Sequence, residues 1–538
     1  MKKVLALALA LVFCLGGSAL ALTENGVLPL VEEETVLNIG IATWPEIEDL
    51  STNGLTVWLE ETTGLSLEFT TFTGGSGDRA EKLNLMIAAN QTLPDVLMDW
   101  WQLSPATQLQ YGQAGYLIPL NDLIEEYGYF YKEAISKLNE ADYKRVTTEG
   151  ILADGNQYGM PDWESQPGKR VALTWYVNQK WLDAVNMEVP TTTDEFYAVL
   201  KAFKEQDPNG NGIADEIGLV GGAYNSSNPD QLLMDPFVYT HDTNYCALDD
   251  DNKIYPVYTT DAYREGLRWI AGLISEGLVS EDIFTVTDYK VNSALLDLSE
   301  GETSYVGMFA GSIGQALNGN QLTLDYVPMG PLTGPEGYCS SSVTDAQLNY
   351  DSFITKDCAD PALAFRFFDL FYKDGTYLRH LTGVEGVNWR YAEEGELTAW
   401  GEQAYAVNLG YTGNSGKKTW GLQPMSWAPD YIVKNILYAT NNDIDIYVNK
   451  VIQEAYSMAE PYWPANRIGN LSYTEEEYDE IGGILSELDT WRSEAMALFC
   501  TGKMDIEKDW DSYVETCKSI GLDRAIEIMQ DAYDRKNA

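Results

Sequence analysis

The stretch WYVNQKWLDAVNMEVPTTTDEFYAVLKAFKEQDPNGNGIADEIGL, Trp175 to Leu219, holds a strand, a helix and a cation-type loop in succession. Lys169 to Val185 reads as a strand running into a helix start. Thr192 and Glu195 have the spacing of a capping box, in which each side chain satisfies a backbone N–H at a helix start. Phe196, Val199, Leu200 and Phe203 then trace one helical stripe. Where that helix ends, DPNGNGIADEIG (Asp207 to Gly218) follows the order of an EF-hand loop. Such a loop takes oxygen ligands at positions 1, 3, 5, 7 and 9, Gly at 6 and a bidentate Glu at 12. Asp207, Asn209, Asn211, Gly212, Ile213 (through its carbonyl) and Asp215 fit in order, but position 12 is Gly218 and the nearby acid is Glu216, at position 10. Three carboxylates and two amide oxygens around a Gly bend suit a hard cation. The plainer alternative is a solvated Gly/Asn-rich turn.

Strands and helices alternate outward from this stretch. Glu34 to Trp44 is a β-type run ended by Pro45, and Ser66 to Gly74 alternates like a second strand. Asp78 to Asn90 reads as a helix capped by Asp78, with Leu83, Met86 and Ile87 on one face, and Pro94 to Trp101 is again short and apolar. Asp360 as cap, Pro361 at the first helical position and Gly375 as stop frame a later helix. From about Thr474 the chain reads as amphipathic helix. This alternation predicts parallel α/β architecture, whose ligands bind beyond the carboxyl ends of the strands. Trp44, Asp99, Trp100 and Trp101 stand at those ends.

Composition narrows the function. Lys2 and Lys3, the apolar run Val4 to Phe13 and Ala19-Leu20-Ala21 make residues 1–21 a secretory signal peptide. Cys14 stands in the region of a lipoprotein cysteine, but bulky Phe13 and Leu15 flank it where small residues are expected, which argues against a lipid anchor there. No later apolar run has membrane-spanning length, so the mature chain is expected to be soluble. Its length exceeds one ordinary core, which predicts two lobes or more. Asp and Glu number 82 against 34 Lys and Arg, a net charge of -48, which argues against nucleic acid and anionic membrane as partners. Cys246, Cys339, Cys358, Cys500 and Cys517 form no C-x-x-C and are odd in number, so buried free thiols are expected. The 34 Tyr and 15 Trp suit either core packing or sugar-stacking surfaces.

Catalytic patterns are missing. The two histidines, His241 and His380, have no zinc spacing. Ala310 to Gly314 misses the first Gly of G-x-S-x-G, and neither a P-loop nor G-x-G-x-x-G occurs. A carboxylate-pair glycosidase stays open, because so acidic a chain offers many pairs.

The chain resembles bacterial extracellular solute-binding proteins of family 1, the sugar-type receptors of ABC importers, and is most similar to their long Firmicutes branch. The resemblance is carried by LPDVLMD near Pro94, YGMPDW (Tyr158 to Trp163), the Trp175–Leu219 stretch, GPEG at Gly334, GVEGVNW (Gly383 to Trp389) and the terminal WDSYVETCKSIGLDRAIEIMQ. It implies an α/β, two-lobed periplasmic-binding-protein-like fold of type II with an interlobe ligand cleft. Lobe 1 would hold residues 22–168 and 341–395, and lobe 2 residues 169–340 and 396–538, with crossings near Lys169, near Ser340 and after Trp389. It also implies a shortened calcium loop, in which structural Ca2+ is held by Asp207, Asn209, Asn211, the Ile213 carbonyl, Asp215 and Glu216. The expected function is non-enzymatic: a monomer outside the cell captures a carbohydrate, an oligosaccharide in particular, and passes it to ABC permease subunits. Sugar rings present apolar faces rimmed by hydroxyls, which Trp stacks and polar side chains bond. The ligand candidates are Trp44, Asp99, Trp100, Trp163, Trp389, Arg390 and Trp427, whereas Trp181, Trp269 and Trp491 read as core. The rival readings are a secreted glycosidase or lyase and a non-transport sensor of the same fold.

Overall fold

A computed structural model describes residues 22–43, 49–98, 103–165, 173–222, 229–286, 295–296, 304–317, 320–343, 347–398, 401–409, 420, 425–438 and 443–537. The strands in chain order are β1 (Thr35–Ala42), β2 (Leu65–Phe72), β3 (Val96–Met98), β4 (Gly159–Glu164), β5 (Trp175–Asn178), β6 (Ile217–Val220), β7 (Cys246–Leu248) and β8 (Ile254–Pro256). They continue with β9 (Val306–Ala310), β10 (Tyr326–Met329), β11 (Gln347–Ile354), β12 (Trp389–Tyr391), β13 (Ala406–Asn408), β14 (Trp427–Ala428) and β15 (Ile436–Tyr438).

Two sheets organise the molecule. The first has the order β14-β4-β11-β3-β1-β2 and the second β10-β5-β9-β6. At one edge of the first sheet β1 pairs in parallel with β2 and β3, as helical crossovers require. β11 enters antiparallel between β3 and β4, and β14 closes the other edge in parallel with β4. In the second sheet β6 and β9 are parallel, whereas β5 and β10 run antiparallel. Parallel pairs are thus joined with antiparallel ones in both sheets.

The helix Thr193–Glu205, the second after β5, forms as its sequence dictates. Thr192 Oγ1 accepts from Glu195 N (3.2 Å), and Glu195 Oε2 accepts from Thr191 N (2.9 Å) and Thr192 N (3.2 Å). Its stripe Phe196, Val199, Leu200 and Phe203 is buried against Trp181, Met308 and Leu273 in one core. Asp360 likewise caps the helix Pro361–Asp369 through Leu363 N (3.0 Å). Asp78 differs: the helix starts at Ser76, and Asp78 sits in its first turn, accepting from Gly75 N (2.9 Å).

The cores divide the chain cleanly. Leu30 to Trp163 and Leu348 to Ile436 share one core, while Leu173 to Leu332 and Ile468 to Ala532 share another. The chain leaves the first core after Ser165 and the second after Leu332, and Ser342 Oγ ties the two passages by donating to Leu173 O (2.7 Å). The Asp235 carbonyl accepts from Ser340 N (3.2 Å) and Ser340 Oγ (2.9 Å), and the Asp235 carboxylate meets His241 Nε2 at 2.6 Å. Gly334 also belongs to the second passage, where an added Cβ would lie 2.0 Å from Pro236 O. The expected third crossing after Trp389 is corrected. Ala406, Trp420, Trp427 and Ile436 belong to the first core, and β14 extends the first sheet, so the described residues around them are part of lobe 1. The chain returns between Tyr438 and the helix Asp443–Ala459, which packs on β10.

Candidate functional site

The register of the first sheet brings the ends of β1, β2 and β3 to one rim, with Glu164 and Ala428 on the same side. Trp44, Asp99 and Trp100 follow β1 and β3 in sequence and lie outside the described residues.

The other stacking candidates are not brought together on an open surface. Trp163 is fully buried in β4, with Trp427 beside it at 6.4 Å between ring centroids and the Arg145 guanidinium 5.3 Å from its ring. Trp427 is buried against Tyr372, and its Nε1 donates to Tyr431 Oη (3.3 Å). Trp389 is buried beside Tyr391, and its Nε1 donates to Gly383 O (3.0 Å). All three indoles pack the lobe 1 core. Arg390 spends its fork on Glu396, with Nη1–Oε2 at 2.7 Å and Nη2–Oε1 at 2.6 Å. That guanidinium holds the Glu396 carboxyl down to about 2. Trp181 is buried as expected, and Trp269 and Trp491 are half-buried against the lobe 2 core.

A cavity of about 870 Å³ opens between the lobes. Lobe 1 contributes the turn before the helix Pro105–Gln113, the residues after the helix Glu140–Thr148, and β11 from Leu348 to Asp351. Lobe 2 contributes Thr243, Asn244, Asn470 to Tyr473 and the ends of two C-terminal helices. Gln108, Asn349, Asn470, Ser472, Tyr473 and Tyr478 give the wall hydroxyl, amide and aromatic character. Tyr473 and Tyr478 meet edge to face at 5.2 Å. One ion pair spans the wall. Glu149 Oε1 accepts from Arg145 Nε (3.1 Å) within lobe 1 and faces Lys536 Nζ of lobe 2 at 3.5 Å. No local motif marks these residues, because the wall draws on segments from opposite ends of the chain.

The cation loop lies in lobe 2, between the capped helix and β6. Asp207 Oδ2 accepts from Gly212 N (3.0 Å), Asn209 Oδ1 from Asn211 N (3.0 Å) and Asn211 Oδ1 from Ile213 N (2.7 Å), so the side-chain oxygens turn inward. Asp207, Gly210 and Gly212 have φ of 47°, 71° and 76°, the left-handed turns that curl the loop. Asn209 and Asn211 amides donate to Asp215 at 3.0 and 3.1 Å. Glu216 Oε1 is buried without a hydrogen-bond partner. Burial raises the Glu216 carboxyl, and the neighbouring Asp207 and Asp215 raise it further. Crowded carboxylates with an orphaned oxygen are the environment a cation relieves. Among the described residues no three His, Cys, Asp or Glu side chains could hold a metal alone, so this donor set depends on the Asn amides and the Ile213 carbonyl.

The model of the family described as bacterial extracellular solute-binding protein matches residues 46–377, more than half of the chain. The fructooligosaccharide ABC transporter substrate-binding protein FusA of Streptococcus pneumoniae is 25% identical over 533 residues, spanning 96% of this chain and 93% of that protein. Its structure in complex with kestose superposes with a TM-score of 0.69 at 23% identity, covering 94% of this chain and 99% of that one. A human-milk-oligosaccharide (HMO) binding solute-binding protein from Bifidobacterium longum infantis gives 0.75 at 21% identity over the same shares. The alginate-binding protein AlgQ2 without calcium ion gives 0.65 at 21%, again over 94% and 99%.

Proposed function

Because the chain belongs to the bacterial extracellular solute-binding proteins, we propose that it is the carbohydrate receptor of an ABC importer, holding an oligosaccharide between its lobes. The observation that carries this is the interlobe cavity, whose wall mixes hydroxyls, amides and tyrosines from both lobes. Sugars need that mixture, since each ring offers apolar C–H faces and a rim of hydrogen-bonding groups. A ligand touching both lobes stabilises the closed arrangement by its differential affinity for it. FusA and the Bifidobacterium protein, named for oligosaccharides, support the ligand class.

The receptor works outside the cell as a monomer beside its permease. Among the described residues no helix is long and apolar enough to cross a membrane. It binds without turnover. In lobe 2, Ca2+ would be held by Asp207, Asn209, Asn211, the Ile213 carbonyl, Asp215 and Glu216, pinning the helix end to β6. A thermal-shift screen against a glycan library, followed by calorimetry and mass spectrometry of the recovered ligand, tests the reading. Saturable binding of an unchanged glycan is expected. Binding of no glycan, or recovery of cleaved products, would reject it.

A further inference from the structure

Four charged residues line the interlobe cavity among the described residues: Glu149, Asp351, Arg535 and Lys536. Both cations are already engaged. Arg535 holds Glu477 with both prongs, Nη1–Oε1 at 2.9 Å and Nη2–Oε2 at 2.5 Å. Lys536 Nζ donates to Asn470 O at 3.1 Å and faces Glu149 Oε1 and the Ile468 carbonyl at 3.5 Å each. An anionic ligand would have to strip these groups from partly buried partners, leaving Glu477 without its guanidinium and Glu149 with Arg145 alone.

The unmet needs of the wall point the other way. Glu149 is 4% exposed at its side chain, and its Oε2 is buried without a hydrogen-bond partner. Ser472 Oγ is also buried and unpartnered. A carboxylate oxygen accepts only, so it asks for a donor. A sugar hydroxyl donates to it and accepts elsewhere, whereas an ionised uronate carboxyl has no proton to give. The chain's net charge of -48 adds a repulsive field for any polyanion.

We propose that the cavity is built for an uncharged, polyhydroxylated oligosaccharide and discriminates against uronate chains, with Glu149 as the acceptor for a ligand hydroxyl. This rests on the cavity being the carbohydrate seat. The test is calorimetric titration with neutral tri- to pentasaccharides (fructans, gluco-, xylo- and galacto-oligosaccharides) and with oligogalacturonates of matched length. At least one neutral ligand binds about tenfold or more tightly than every uronate, the difference a charge-assisted hydrogen bond confers. Glu149→Gln weakens that neutral ligand by about tenfold. Ser472→Ala, which removes no charge and no ion pair, weakens it a few-fold with the melting temperature unchanged. Uronates binding as tightly as neutral chains overturn the proposal while leaving the carbohydrate reading intact. So does wild-type affinity in both variants. Failure of both ligand classes to bind rejects the carbohydrate reading itself, and this proposal with it.

Discussion

The indole cluster of lobe 1 and the wall of the interlobe cavity are neighbours with opposite chemistry. Trp163 faces Leu348 across β4 and β11, and Leu348 lines the cavity. Arg145 touches both, its guanidinium over the Trp163 ring and its Nε on Glu149. On one side large aromatic rings fill a dry core. On the other, hydroxyls, amides and paired charges surround a hollow. In an aromatic-rich chain the rings thus pack the core at β4 and β14, and the polar groups proposed to carry recognition lie a few ångströms away. Aromatic content alone does not locate a sugar site.

Trp163→Ala tests that division most severely. Removing a buried indole costs about 3–5 kcal/mol of folding stability. A denaturant titration is expected to show this loss, with near-normal ligand affinity in the fraction that folds. An intact melt with lost affinity would make Trp163 a stacking residue and erase the contrast.

Calcium removal is next in size and acts on neither region directly. A cation bound only by the native state at a hundredfold excess over its Kd adds about 2.7 kcal/mol. Chelator should therefore lower the melting temperature, added calcium should restore it, and Asp207→Ala with Asp215→Ala should abolish the response. If that double variant responds as the wild type does, the cation sits elsewhere.

Asn349→Ala sharpens the comparison from the cavity side. Losing one hydrogen bond to ligand should cost about 1 kcal/mol of affinity, read by calorimetry, with little change in the melt. A large stability loss with unchanged affinity would return Asn349 to the scaffold.

Arg390→Ala should do least. Its partner Glu396 has a carboxyl held below its ordinary value, so the pair contributes above the unfolded carboxylate pKa and is lost as pH falls toward 2. At neutral pH this half-buried surface pair contributes little. Both affinity and melting temperature should stay near wild type, and a clear loss of affinity would bring Arg390 back into the site.

Legibility in the sequence followed the range of the interactions. Thr192 with Glu195, the Phe196–Phe203 stripe and the Asp207 loop were readable because their partners lie within a turn or two. The cap was placed three residues late, at Asp78 instead of Gly75, since an acid at the third helical position looks like a cap. The late part of lobe 1 was assigned to lobe 2 because only long-range pairing reveals it: Ser165 bonds to Ala428 across the first sheet. The burial of the indoles was hidden for a similar reason. Trp163 follows Asp162 and looks loop-like, yet β11 and β14 flank it and seal it in. The cavity wall left no local trace, because Glu149 and Lys536 meet only when nearly the whole chain has folded.

The strand order also governs when the molecule can fold. β3 and β4 are not neighbours, because β11 must enter between them, and β14 must still cover β4. The second core likewise waits for residues 468–532. A chain emerging N-terminus first thus exposes unpaired sheet edges and half-built cores until its last fifth has been released. Neither lobe can lock early. Lobe 1 can close only after β14 has been made, and lobe 2 only when the C-terminal helices follow.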